Sequence, residues 1–141
     1  MDAGDKIRVY YVTAVLSLVL ALVGFTYNAW RLEVTEDNNN VRTAAFEVLK
    51  ELAALEQLIY AAHYDKNPQE GNPRKGWVKV GLIVDLCELI DDSAHESAWE
   101  LKGVWQDHWR EIEGNREVVE ELVERIDGVR VSIKMKIQSL E

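Results

Sequence analysis

The chain has 141 residues, with 16 Lys or Arg against 25 Asp or Glu and a formal charge of −9. Residues 32–141 alone hold 13 Lys or Arg and 23 Asp or Glu, a net charge of −10. That excludes the basic surface a nucleic-acid partner requires, and it opposes a domain lying flat on anionic lipid. The one cysteine, Cys87, excludes an intrachain disulfide and a cysteine-based metal site.

Residues 1–8 form a short polar tail. Residues 9–30 follow, 22 residues without a charge, bracketed by Arg8 and Arg31. As a helix this stretch covers roughly 33 Å, enough to cross a bilayer core. Tyr10 and Tyr11 at one end, and Tyr27 and Trp30 at the other, suit the headgroup region. Gly24-Phe25-Thr26-Tyr27-Asn28-Ala29 has no good small-residue cleavage site, so an uncleaved transmembrane helix is expected. The lack of a charged face argues against a helix lying on the surface. Lys6, Arg8 and the terminal amine on the near side oppose Arg31 and Arg42 on the far side. The expectation is an inner amino terminus and a bulk domain facing outward, periplasmic in a bacterial cell. Thr13, Ser17 and Ala21 make a small-residue ridge every four positions, along which two spans can approach.

Residues 31–40 are expected to be a juxtamembrane joint, because Asn38-Asn39-Asn40 are poor helix formers and good caps. They mark either a fresh helix start or a soft connection. Residues 41–141 then suit one small domain. Val41, Ala45, Val48, Leu52, Leu55, Ile59 and Ala62 step 4-3-4-3-4-3 and draw a helical stripe, which Phe46, Leu49 and Leu58 widen. Asn67-Pro68 and Asn72-Pro73 signal a loop, with Asn72 capping a second helix over about 73–91. Trp77 to Val84 also reads as a buried strand, but with no second strand to pair it the helix is preferred. Ser93 with Glu96 forms a capping box for a third helix over about 94–112. Its stripe runs Ala94, Ala98, Leu101, Trp105, His108 and Ile112. Gly114-Asn115 ends that helix, and a fourth over about 116–139 lines up Val119, Leu122, Ile126, Val129, Ile133 and Ile137. The fold class is therefore all-α: one N-terminal transmembrane helix, then an antiparallel four-helix bundle. The anchor-plus-bundle plan resembles the sensing domains of bacterial transmembrane receptors in architecture alone, and no family is recognised.

Chemistry is thin. His63, His95 and His108 fall on three helices, but Asp92-Ser-Ala-His95 is the one acid-x-x-His pair, where a bundle metal centre uses two. The loop from Asp65 to Gly71 has oxygen-bearing side chains at alternate positions like a calcium loop. Its glycine comes one place late, however, and position twelve is Gly76. Cys87 sits in an apolar run as a small hydrophobe. No metal, no cofactor and no catalytic constellation is expected.

Surface pattern carries the better lead. On the second helix Val80, Ile83, Val84, Cys87 and Ile90 share one side, while Val78, Leu82 and Leu89 lie nearly opposite. Trp99 lies about 100° from the third helix's stripe, and Val131 with Met135 forms an off-face pair on the fourth. Val78, Leu82, Leu89, Trp99, Val131 and Met135 are therefore the candidate interface residues. The function expected is a single-pass, membrane-anchored interaction module that forms a homo-oligomer or docks on a membrane-protein partner, and is not an enzyme. The alternative is a ligand-binding sensor subunit with a pocket among Trp99, Trp105, Trp109 and the nearby histidines.

Overall fold

The computed structural model describes residues 2–140. These are all-α, with helices α1 (Ala3–His63), α2 (Pro73–Glu88), α3 (Asp92–His108) and α4 (Arg116–Ser139) and no strand among the described residues. Trp77 to Val84 lies inside α2. The chain divides into two compact units, one reaching to Asn39 and the other beginning at Asn40.

In the first unit the side chains of residues 2–37 are all exposed, and α1 supplies one stretch long and apolar enough to cross a membrane. Its threonine hydroxyls bond to their own helix. Thr13 Oγ1 donates to the Val9 carbonyl and Thr26 Oγ1 to the Leu22 carbonyl, each at 2.8 Å. Thr35 Oγ1 makes the same four-residue back-bond to the Arg31 carbonyl at 2.8 Å. The rings of Tyr27 and Trp30 pack at 6.1 Å.

The second unit has its own core. The α1 stripe buries Ala45, Val48, Leu52, Leu55, Ile59 and Ala62, and Leu58 joins them. Val80, Ile83, Val84 and Cys87 come from α2; Ala94, Ala98, Leu101 and Trp105 from α3; Val119, Leu122, Ile126, Val129 and Ile133 from α4. Ion pairs and hydrogen bonds, most of them partly buried, join the helices around this core. Lys79 Nζ meets Glu51 Oε2 at 2.9 Å, and Arg130 pairs with Glu56. Arg42 Nη2 donates to the Leu140 carbonyl at 3.0 Å. The Ser97 and Ser132 hydroxyls meet at 2.9 Å, and Arg125 reaches Glu100 at 3.0 Å. Lys136 lies 3.7 Å from Asp91.

Helix ends follow side-chain chemistry. Asn72 Oδ1 accepts from Arg74 N, with Pro73 opening the helix, and Asn115 Oδ1 accepts from Glu117 N. Both caps fall where the sequence places them. Several expectations need correcting. The cap of α3 is Asp91, whose Oδ1 accepts from Ala94 N at 2.8 Å, not Ser93. A carboxylate two residues ahead takes the Ala94 amide and leaves Ser93 inside the helix. α3 ends at His108, not near 112, where the Glu111 N–H turns back to the His108 carbonyl at 2.8 Å. α2 ends at Glu88, three residues short of the expected 91. The backbone stays helical through Asn38-Asn39-Asn40, so no fresh start forms there. Phe46 does not widen the buried stripe: it is 61% exposed, because one residue beyond Ala45 is 100° further round the helix.

Candidate functional surfaces

The outer side of α2 is apolar, as its pattern implies. Val78 is 71% exposed, Leu82 41% and Leu89, the residue that caps the C-terminus of α2, 68%, opposite the buried set of Val80, Ile83, Val84 and Cys87. Of the polar residues on or beside this face, Lys79 is drawn aside to Glu51, which leaves Arg74 and Lys75 in its first turn, Asp85 on its midline and Glu88 at its edge. Trp99 on α3 is 51% exposed, but its edges are engaged. Its Nε1 donates to His95 Nε2 at 2.7 Å, which requires that imidazole nitrogen to be unprotonated. The Lys102 ammonium lies 4.4 Å from the Trp99 ring centroid. Val131 and Met135 are exposed on α4. They lie on a different helix from Val78 and Leu82.

A second feature forms where the α1–α2 loop and the α3–α4 turn meet. His63 Nδ1 donates to the Ile112 carbonyl at 2.7 Å, and the Lys66 ammonium donates to the Glu113 carbonyl. Lys66 itself sits in the left-handed region at φ 50°, a conformation that turns the chain out of α1. Asn67 Oδ1 then accepts from the Gln69 and Glu70 amides at 3.0 and 3.1 Å, folding the loop back. Gly71 lies so close to α1 that a Cβ there would stand 2.6 Å from the Ala62 backbone. These contacts leave a cleft of about 270 Å³ walled by Leu58, Ala62, Gly71, Pro73, Trp105 and Trp109, with Ile112, Arg110 and Glu113 completing it.

Trp105 is fully buried at the back of this cleft. Trp77 packs edge-on against it at 6.5 Å, and Gly76 makes room for its six-membered ring. Among the described residues, Trp105 Nε1 is the one buried side-chain nitrogen or oxygen without a hydrogen-bond partner. Trp109, one helical turn on, is half-buried and carries the Arg110 guanidinium 5.0 Å from its ring.

Family models, curated proteins and solved structures give no match to the chain.

Geometry alone therefore defines the site. Sequence periodicity placed Trp105 and Trp109 together, but it missed Gly71, Pro73 and Arg110 as their neighbours. The Gly71-Asn72-Pro73 run was the available signal, since a glycine just before a capped helix often marks close backbone approach. The histidines make separate contacts: His63 to Ile112, His95 to Trp99, and His108 to Glu111 at 3.4 Å.

Electrostatics is concentrated elsewhere. Burial, with help from Asp91, pushes the Cys87 thiol up to about 12. For Arg130 burial opposes the charge, but hydrogen bonds to Glu56 and Asp127 outweigh it and raise its pKa. The hydrogen bond from Tyr60 to Glu56, followed by partial burial, raises the phenol.

Proposed function

We propose that this chain is a non-enzymatic, single-pass membrane-anchored module, and that it associates with a second copy of itself through the outer face of α2. The uncharged stretch of 9–30 is the anchor. Two features support an anchor: the aromatic residues at both ends and an apolar stretch of helix long enough to cross a membrane. The second unit is an antiparallel four-helix bundle. The pairings Arg42–Leu140 and Glu56–Arg130 between α1 and α4, and Asp91–Lys136 and Glu100–Arg125 between α3 and α4, support that direction of packing. The bulk domain faces outward, on the strength of Lys6 and Arg8 beside the amino terminus.

Carbonate washing should leave the protein in the membrane fraction. A cysteine introduced by Gln69→Cys should react with an impermeant maleimide in intact cells, while the buried native Cys87 stays silent. Release by carbonate refutes the anchor, and labelling only after the membrane is breached reverses the orientation.

The observation that carries the association is the set Val78, Leu82 and Leu89, exposed along one helix face. Burying each such side chain is worth about 1.5–3 kcal/mol, before the cost of holding two partners together. The ridge of Thr13, Ser17 and Ala21 provides a second line of approach between the spans. Light scattering of the detergent-solubilised chain should therefore report an oligomer. Leu82→Glu and Val78→Glu should each reduce it to monomer, with an unchanged helical circular-dichroism signal. An oligomer indifferent to both variants refutes the interface. A wild-type monomer that co-purifies with one membrane protein, and loses it on Val78→Glu, transfers the face to that partner instead.

A further inference from the structure

We propose that two copies of the chain pair α2 against α2 in antiparallel directions, with Val78 of each copy against Leu82 of the other and Lys75 against Asp85. The proposal rests on the reading of the α2 face as a contact with a second copy, and it adds the direction and register of that contact. Lys75, Val78, Leu82, Asp85 and Leu89 are all exposed and step 3-4-3-4, which draws one narrow seam along the outside of the helix. Charge is unevenly placed on it. Arg74 and Lys75 stand in the first turn of α2, and Asp85 and Glu88 in the last. That order runs against the helix dipole, which favours acids at the start and bases at the end. α3 and α4 keep the favourable order, with Asp92 and Glu117 in their first turns and His108 and Lys136 in their last. Among the described residues, moreover, none of Arg74, Lys75, Asp85 and Glu88 has an ion-pair or hydrogen-bond partner for its side chain.

A twofold pair is self-complementary: where one residue meets another, the reverse contact forms as well. Parallel packing of the two seams sets Lys75 on Lys75 and Asp85 on Asp85, and like charges in apposition oppose association. Antiparallel packing about an axis between positions 78 and 82 places Lys75 opposite the second copy's Asp85 and Arg74 near its Glu88. Each of these pairs forms twice, and the two Val78–Leu82 contacts lie between them. The same arrangement sets the positive end of each helix dipole beside the negative end of the other. The four charges that disfavour a lone α2 therefore complement a second one. A partner with a uniformly basic or acidic face answers half of them and repels the other half.

Sedimentation equilibrium of the full chain in density-matched detergent measures the dissociation constant. Detergent frees each copy's anchor from a shared bilayer, so the register is read on the α2 faces alone. Lys75→Glu and Asp85→Lys should each raise the constant about tenfold, since each turns two attractions into two repulsions. The double variant should return it to within about threefold of wild type. Lys75→Glu suits the first turn of a helix, so a weaker assembly cannot come from lost folding, and an unchanged circular-dichroism signal checks this. If bulk charge alone governs the pair, Lys75→Glu weakens it while Asp85→Lys tightens it, and that result overturns the proposal. Charge variants that leave the constant unchanged, while Val78→Glu still yields monomer, overturn the antiparallel register and leave the α2 face as the contact. A wild type that is monomeric at every concentration, or an oligomer untouched by Val78→Glu, overturns both.

Discussion

Replacing Gly76 by alanine puts the packing of α2 against Trp105 to a quantitative test. In an open helix interior the change is favourable by about 1 kcal/mol, because alanine restricts the unfolded chain and glycine does not. Gly76 is not open. A Cβ built there falls inside contact distance of Trp105 Cζ2 and Cη2, with Cε2 at 3.3 Å. The indole is fully buried and has Trp77 at its side, so it has no free direction in which to yield. Overpacking of this sort costs about 1–3 kcal/mol and at times more, and the overlap with a rigid ring places it at the upper end. The net expectation is a loss of about 1–2 kcal/mol, or a melting temperature lower by roughly 5–15 °C for a unit of this size. Gly103 and Gly128 are internal controls. Each lies in a helix, exposed, with nothing within 4 Å of its built Cβ, so alanine there should raise the melting temperature by a few degrees. Thermal melts followed by circular dichroism on the full chain in mild detergent read all three. Trp105→Phe removes the atoms in conflict, so the double variant with Gly76→Ala should be more stable than the two single losses added together. Gly76→Ala at or above wild type, or a double variant that is simply additive, would falsify the close approach.

Cys87 and Glu56 offer two further checks. The Cys87 thiol titrates at about 12 in the folded chain against 9.0 when unperturbed. Below pH 9 it is protonated in both states and the full stability is present. Between about 9 and 12 the unfolded thiol ionises while the folded one cannot, so stability falls as pH rises. Denaturant melts should show a shallower alkaline decline for Cys87→Ala than for wild type, and parallel declines would remove the thiol from the account. Glu56 accepts from the Tyr60 hydroxyl at 2.9 Å and from the Arg130 guanidinium. Glu56→Gln should cost about 1–2 kcal/mol, reduced from a fully buried pair because both side chains keep about a fifth of their exposure. In an Arg130→Met background the same change should cost about 0.5 kcal/mol or less. An equal cost in both backgrounds would mean the pair is uncoupled.

Local chemistry was the part of this molecule most readable from sequence. The α1 stripe, the Asn72-Pro73 start and the Asn115 cap depend on spacing and on one or two side chains, and each stands where it was expected. Asp91-Asp92-Ser93 offers three side chains able to cap a helix, and only the packed α3 decides that Asp91 is used. Phe46 shows the limit of counting apolar residues: its type suits a core, but its angle does not. The outer set of Val78, Leu82 and Leu89 was legible because α2 has too few polar residues to clothe one side. The end cleft was not legible, because it exists only once Lys66 and His63 have tied a loop to carbonyls nearly fifty residues away. No periodicity records a contact of that range.

The sealed environment of Cys87 also bears on the compartments the protein can occupy. Disulfide exchange requires a thiolate and an open approach. Cys87 has neither: it is fully buried and essentially unionised at neutral pH. The folded chain is therefore indifferent to the redox poise around it, needing no reductant on one side of a membrane and no oxidase on the other. A covalent dimer, wherever one is found, would record a molecule that had opened first.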